Sequence, residues 1–200
     1  MRFFPIRWSR PESLKVAIFG GTFDPIHSAH LTVAREAADE FHLDRVLFVP
    51  AANPPHKTET TTPYGHRYAM VEMACAADPR FVASRLEEGS DKSFSLHTIQ
   101  KVRATLGADD RLYFLIGADA FAEIETWYRA EDVMELVEFV VVTRPGHEYE
   151  TPPRARVHRL ETLALPVSSS EIRQKLAAGE SPGELPPAVL EYIKSQRLYR

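Results

Sequence analysis

Residues 15–30 read KVAIFGGTFDPIHSAH. A short apolar run reaches a Gly-Gly turn, and two histidines follow three residues apart, where a helix is due to begin. A strand that delivers the chain into a tight turn ahead of a helix is a general way to build an anion site. Helix N-termini present free N–H groups and a partial positive charge. Gly20 and Gly21 are expected to let the backbone approach a bulky anion, and to take a positive φ where the turn needs one. His27 and His30 add donors that can follow a phosphate as its charge changes. Asp24 and Pro25 read as a helix N-cap with proline in the first turn. The stretch therefore predicts nucleotide chemistry.

Working outward, apolar runs alternate with helical patterns. Residues 15–20, 45–49, 80–84, 111–116, 138–143 and 157–160 read as strands. Residues 31–41, 64–77, 95–106, 118–126, 130–136, 169–178 and 187–195 read as helices. Such alternation predicts an α/β fold, a Rossmann-like, doubly wound parallel sheet flanked by helices. Ligands bind these sheets at the carboxyl ends of the strands, near the switch in strand order. Two long proline-containing loops, 50–63 and 144–156, are of a length that is often functional. Residues 1–14 read as an N-terminal extension, and 15–200 as one domain.

Composition narrows the class. The chain has 200 residues, 44% hydrophobic and 26% charged, which suits one globular core. A net charge of −4 gives no general attraction to nucleic acid or to an anionic membrane, so neither is expected as a partner. No run approaches the ~20 apolar residues of a membrane span. The single cysteine, Cys75, excludes an intrachain disulfide and fits a reducing, cytoplasmic setting. Its apolar surroundings predict a buried thiol. No Cys/His set has the spacing of a structural zinc site, and no protein-held metal is expected.

Further stretches carry polar chemistry. Ser168-Ser169-Ser170-Glu171-Ile172-Arg173 opens a helix after Pro166, with Ser169 or Ser170 as the expected cap. Arg173 offers a planar fork suited to phosphate. Gly117-Ala118-Asp119 follows the apolar strand LYFLI, and Trp127-Tyr128 comes eight and nine residues after Asp119. Arg144 ends another apolar run. Ser95 opens a helix and is expected to cap it.

GGTFDPIHSAH resembles the G-x-F-D-P-x-H-x-G-H signature of nucleotidyltransferases with an HxGH motif, with Ala29 where glycine is usual. FVPAANPPHK (48–57), YFLIGADAFAEIETWYRAEDV (113–133), VVTRPG (141–146), VSSSEIRQKL (167–176) and VLEYIKSQRLY (189–199) occur in the order found in the bacterial nicotinate mononucleotide adenylyltransferase family. The resemblance covers nearly the whole chain from Lys15 to Tyr199. It implies that ATP and nicotinate mononucleotide are joined to give nicotinate adenine dinucleotide and pyrophosphate, by direct attack of the acceptor phosphate on the ATP α-phosphorus. It implies ATP contacts from Gly20, Gly21, Thr22, Phe23, His27, His30, Ser169, Ser170, Ile172 and Arg173, with His27, His30 and Arg173 as the catalytic groups. Lys57, Ser95, Asp119, Trp127, Tyr128 and Arg144 are implied at the mononucleotide, with Trp127 stacked on its pyridine ring. Mg²⁺ is expected to travel with ATP, and a homo-oligomer is left open. Two rivals stand beside this reading. One is a phosphopantetheine adenylyltransferase, which would lack the GAD, Trp-Tyr and Arg-Pro-Gly features. The other is a silent nucleotide sensor on the same fold.

Overall fold

The computed structural model describes residues 13–53, 62–163 and 167–200. The chain runs β1 (Lys15–Gly21), α1 (Ser28–Glu40), β2 (Arg45–Pro50), α2 (Tyr64–Cys75), β3 (Phe81–Ala83), α3 (Ser95–Arg103), β4 (Arg111–Gly117) and α4 (Ala118–Phe121). A 3₁₀ turn (Ile124–Thr126), α5 (Ala130–Leu136), β5 (Glu138–Thr143), β6 (Arg156–Glu161), α6 (Ser169–Ala177) and α7 (Pro187–Gln196) complete it. The strands form a parallel sheet in the order β3-β2-β1-β4-β5-β6. The winding thus goes outward from β1 to β3, then crosses back to set β4 on the other flank of β1.

That crossing opens the crevice. Pairing of β1 with β4 ends at Phe19 and Leu115, whereas pairing of β1 with β2 continues to Gly21 and Pro50. Past Leu115 the two central strands part, as the switch-point rule expects. The centre of the sheet is buried on both faces, so β1, β2, β4 and β5 are apolar at successive positions, whereas the edge strand β6 is mostly polar. Ala17 and Leu115 point into the layer built with α1, α2 and α7, while Val16, Ile18 and Phe114 point into the layer under α3 and α5. Helix α1 lies close on the sheet because its inner face is Leu31, Ala34, Ala37 and Ala38, small side chains at helical spacing.

Two expectations about elements are corrected. The helix expected over 118–126 is two pieces, α4 and a 3₁₀ turn. Phe121 and Ile124 are both fully buried anchors three residues apart, the 3₁₀ spacing, and the Thr126 hydroxyl donates to the Glu123 carbonyl at 2.7 Å. The crossing from β5 to β6 is a loop, as expected, and it is pinned by Tyr149, edge-on to Phe121 at 5.6 Å. Asp24 does not cap α1. The chain stays non-helical through His27, which is the N-cap, because Asp24 and Ile26 are both drawn into the interior.

Candidate active site

The turn after β1 is shaped by one ring. Phe23 is 2% exposed and sits edge-on to Phe19 (5.7 Å between centroids) and to His30 (5.1 Å). A Cβ on Gly21 would meet that ring at 2.9 Å, whereas one on Gly20 would find Phe114 at an ordinary 3.9 Å. Gly21 is needed for space. Neither glycine takes a positive φ; the turn places that conformation on Phe23, at φ 48°. That backbone conformation is unfavourable for a non-glycine residue by roughly 1–2 kcal/mol. Burial of the aromatic ring offsets it.

The two histidines stack, with rings 3.8 Å apart and 30° between planes. His30 Nδ1 accepts the His27 backbone N–H at 3.3 Å, which leaves the ring proton of a neutral His30 on Nε2. Burial lowers the pKa of His27 to about 4, against a smaller opposing pull from Glu184. His27 is therefore neutral near pH 7 in the free protein, a donor that an arriving phosphate can charge. The first N–H of α1 is not open to an anion: Ser28 donates to the Glu184 carbonyl at 2.8 Å. The side chains of His27 and His30 line the cavity beside that helix end.

Across from them, the C-terminal third of the chain supplies the second wall. Arg173 donates to the Asp24 carbonyl at 2.7 Å and to the Ser170 hydroxyl at 3.2 Å. Ser169 donates to the Pro25 carbonyl at 3.1 Å. Ser168, rather than Ser169 or Ser170, caps α6: its hydroxyl accepts from the N–H groups of Ser170 and Glu171 at 3.2 and 3.4 Å. The reason is register, since Ser169 is already helical. These groups enclose a cavity of about 470 Å³ lined by Thr22, Phe23, Asp24, His27, His30, Ser168, Ser169, Ser170 and Arg173. Ile172, expected among the ATP contacts, is a core residue at 1% exposure, its N–H bonded to the Ser168 carbonyl; it steers α6.

A second cavity of about 550 Å³ lies on the β4 side. Its floor is Gly20, Gly21 and Thr22 with Phe114, Leu115, Ile116 and Gly117, and its walls carry Phe94, Ser95, Trp127 and Tyr128. Trp127 is held edge-on to Phe114 at 5.9 Å, and the exposed Tyr128 stacks on Phe94 at 4.6 Å. Ser95 lines this cavity but does not cap α3; Phe94 holds the cap position and Ser95 is the first helical residue. Asp119 is exposed in α4, between the lining residues Gly117 and Ala120, and is not itself in the wall. Arg144 is exposed just beyond β5, two residues after the Val142 that pairs with Gly117, also outside the wall. Lys57 lies outside the described residues. Thr22 belongs to both cavities, so the two spaces meet at the end of β1.

The sequence reading did not single out Arg67 or Glu184, and it took Asp24 only as a helix cap. Arg67, on α2, is 1% exposed. Its Nη1 donates to the carbonyls of Thr22 and Ala51, both at 2.8 Å, and its Nε to that of Thr62 at 2.9 Å. Asp24 is 4% exposed and accepts the Tyr199 hydroxyl at 2.5 Å. Burial, then that hydrogen bond to Asp24, drives the Tyr199 pKa far above its ordinary value, so it stays a donor. Glu184 closes the α1 end. Arg67 lies 45 residues from Thr22 and Asp24 lies 175 from Tyr199, so no local pattern announces these contacts.

A crevice over a parallel sheet, holding a histidine pair and an arginine in one cavity and an aromatic-lined cavity beside it, defines a nucleotidyltransferase site. Residues 18–175 match the cytidylyltransferase-like family. A probable nicotinate-nucleotide adenylyltransferase of Solibacter usitatus is 60% identical over 187 residues, 93% of this chain and 100% of that protein. One from Tropheryma whipplei is 43% identical over 90% of this chain and 97% of its own length. The solved structure of Plasmodium falciparum nicotinic acid mononucleotide adenylyltransferase complexed with NaAD superposes with a TM-score of 0.76 at 19% identity, over 93% of this chain and 97% of that one. The chain belongs to the cytidylyltransferase-like family and, within it, to the nicotinate-nucleotide adenylyltransferases. Among the described residues no helix is long and apolar enough to cross a membrane.

Proposed function

We propose that the chain transfers the adenylyl group of ATP to the phosphate of nicotinate mononucleotide, releasing pyrophosphate and nicotinate adenine dinucleotide. The observation that carries this reading is the junction of two unlike cavities at Thr22. The polar one has the donors for a triphosphate: His27, His30, Arg173 and the serines at the start of α6. The apolar one has flat walls for a pyridine ring in Trp127, Tyr128 and Phe94. Lys57, Asp119 and Arg144 remain assigned to the mononucleotide by resemblance, nearer its charged groups.

The chemistry asks little of a side-chain base. A phosphate dianion is already a nucleophile near neutral pH, and in-line displacement at the α-phosphorus is governed by positioning and by charge stabilisation. His30, His27 and Arg173 face the charge that grows on the departing pyrophosphate. Mg²⁺ enters as Mg-ATP. The described residues bring no three His, Cys, Asp or Glu together that could hold an ion, and phosphate oxygens suit Mg²⁺ as ligands. The reading places the enzyme in the cytosol, making a dinucleotide.

The test is pyrophosphate release from Mg-ATP with nicotinate mononucleotide, nicotinamide mononucleotide or phosphopantetheine as acceptor. Fast turnover with the acid mononucleotide and slow turnover with the others is expected. Turnover with phosphopantetheine alone would keep the class and discard the acceptor cavity. Nucleotide binding without turnover would favour the sensor.

A further inference from the structure

Arg67 is a fully buried cation whose hydrogen bonds run to the main chain. For stability alone it is a poor choice. Taking a guanidinium out of water costs several kcal/mol, and apolar replacements of buried ions are often neutral or better. Burial pulls its pKa down, and the nearby Asp24 carboxylate opposes that. What the guanidinium offers here is geometry. Its planar fork reaches three carbonyls at once: Thr22 in the turn after β1, Ala51 just after β2, and Thr62 ahead of α2. Thr22 lines both cavities, and Ala51 lines the aromatic one. A single Nη1 is shared between those two carbonyls.

The link extends into the phosphate cavity. Asp24, whose charge favours the guanidinium, offers its carbonyl to Arg173 and its carboxylate to Tyr199. Moving Arg67 would therefore shift the floor common to both cavities, while the ligands particular to each stay on their own elements.

We infer that Arg67 is the positioning residue of the transfer: by clamping Thr22 to Ala51 it fixes the distance and angle at which the acceptor phosphate meets the α-phosphorus. It touches neither substrate. This rests on the reading that one cavity takes ATP and the other the mononucleotide. A positioning role has a particular kinetic signature. Each substrate keeps its own contacts, so each KM holds, while the alignment of the reacting atoms is lost and kcat falls. A displacement of about 1 Å costs roughly 10²-fold in rate.

The experiment is steady-state kinetics with both substrates varied, on the wild-type chain, Arg67→Lys and Arg67→Gln, with folding checked by circular dichroism and thermal melts. Lysine keeps the charge but has no planar fork, so it should not rescue. The expected result, in a folded variant, is a kcat lower by about 10²-fold with both KM values within about threefold of wild type. A kcat within about threefold of wild type, whatever the melting temperature does, would overturn the inference. So would a loss carried wholly by one KM. If neither variant folds, Arg67 is a folding residue and the inference falls. Failure of the underlying functional reading shows separately, as absence of turnover in the wild-type chain.

Discussion

The two cavities that meet at Thr22 are built by different means. The cavity proposed for the phosphates is held by hydrogen bonds between ends of the chain: Ser169 to Pro25, Arg173 to Asp24 and Tyr199 to Asp24 span 144, 149 and 175 residues. It exists only when the whole chain has folded. The cavity proposed for the acceptor is built from ring packing and strand backbone, with Phe94 on Tyr128, Trp127 on Phe114 and a floor of β1 and β4. The difference teaches what each ligand demands. A triphosphate needs donors fixed in place, because electrostatic stabilisation is effective only when it is organised before the charge moves. A flat aromatic ring needs walls, and stacking tolerates small displacements. Damage to the first cavity should therefore appear in kcat, and damage to the second in KM.

The largest expected effect is on the polar side. His30→Ala should lower kcat by about 10²–10³-fold with a small change in the KM for ATP. Steady-state kinetics at saturating mononucleotide would check it, and an unchanged kcat would remove His30 from the reaction. Next comes a pH effect. With its pKa held at about 4 in the fold and near 6.5 when unfolded, His27 is neutral in both states above pH 6.5. As the pH falls below 6.5 the unfolded chain takes up a proton that the folded chain refuses until about pH 4. Stability is thus full above pH 6.5 and is lost progressively toward pH 4, by up to about 3 kcal/mol. Urea melts of the nucleotide-free chain should show a slope in this window that His27→Gln flattens.

The next contrast tests the shared floor. Gly21→Ala forces a methyl against the Phe23 ring, which is wedged among Phe19, Phe48 and His30. It should destabilise by about 1–3 kcal/mol, while Gly20→Ala leaves the melting temperature nearly unchanged. Equal melting temperatures would contradict the account of the turn. The smallest effect belongs to the aromatic side. Trp127→Ala should raise KM for the mononucleotide by roughly tenfold, the scale of one stacked ring, with the KM for ATP preserved. A selective ATP defect would reverse the assignment of the cavities.

Much of this was legible in the sequence, for a physical reason. The strand periods of β1, β4 and β5 and the two histidines after the glycine turn are local patterns. So is the serine run that opens α6. They placed the sheet and both walls of the cavity that holds His27, His30 and Arg173. The misreadings share a different cause. Gly21 looked like a residue needed for its backbone, yet the constraint is the Phe23 ring two residues on. Ile172 sat within a polar stretch, but α6 turns it into the core. Ser95 and Ser169 were each one residue inside the helix they were expected to cap. Arg67 carried no signal of its own within the helix at 64–77; only the arrival of the Thr22, Ala51 and Thr62 carbonyls makes it central. Contacts made across the fold leave no spacing to read.

The central claim is that two substrates occupy two cavities and meet at Thr22. A crystal structure with a non-hydrolysable ATP analogue and nicotinate mononucleotide bound together tests it most directly. The account predicts phosphates against His27, His30 and Arg173, the pyridine ring among Phe94, Trp127 and Tyr128, and the acceptor phosphate approaching the α-phosphorus beside Thr22. Both ligands in one cavity, or a pyridine ring bound away from Trp127, would contradict it.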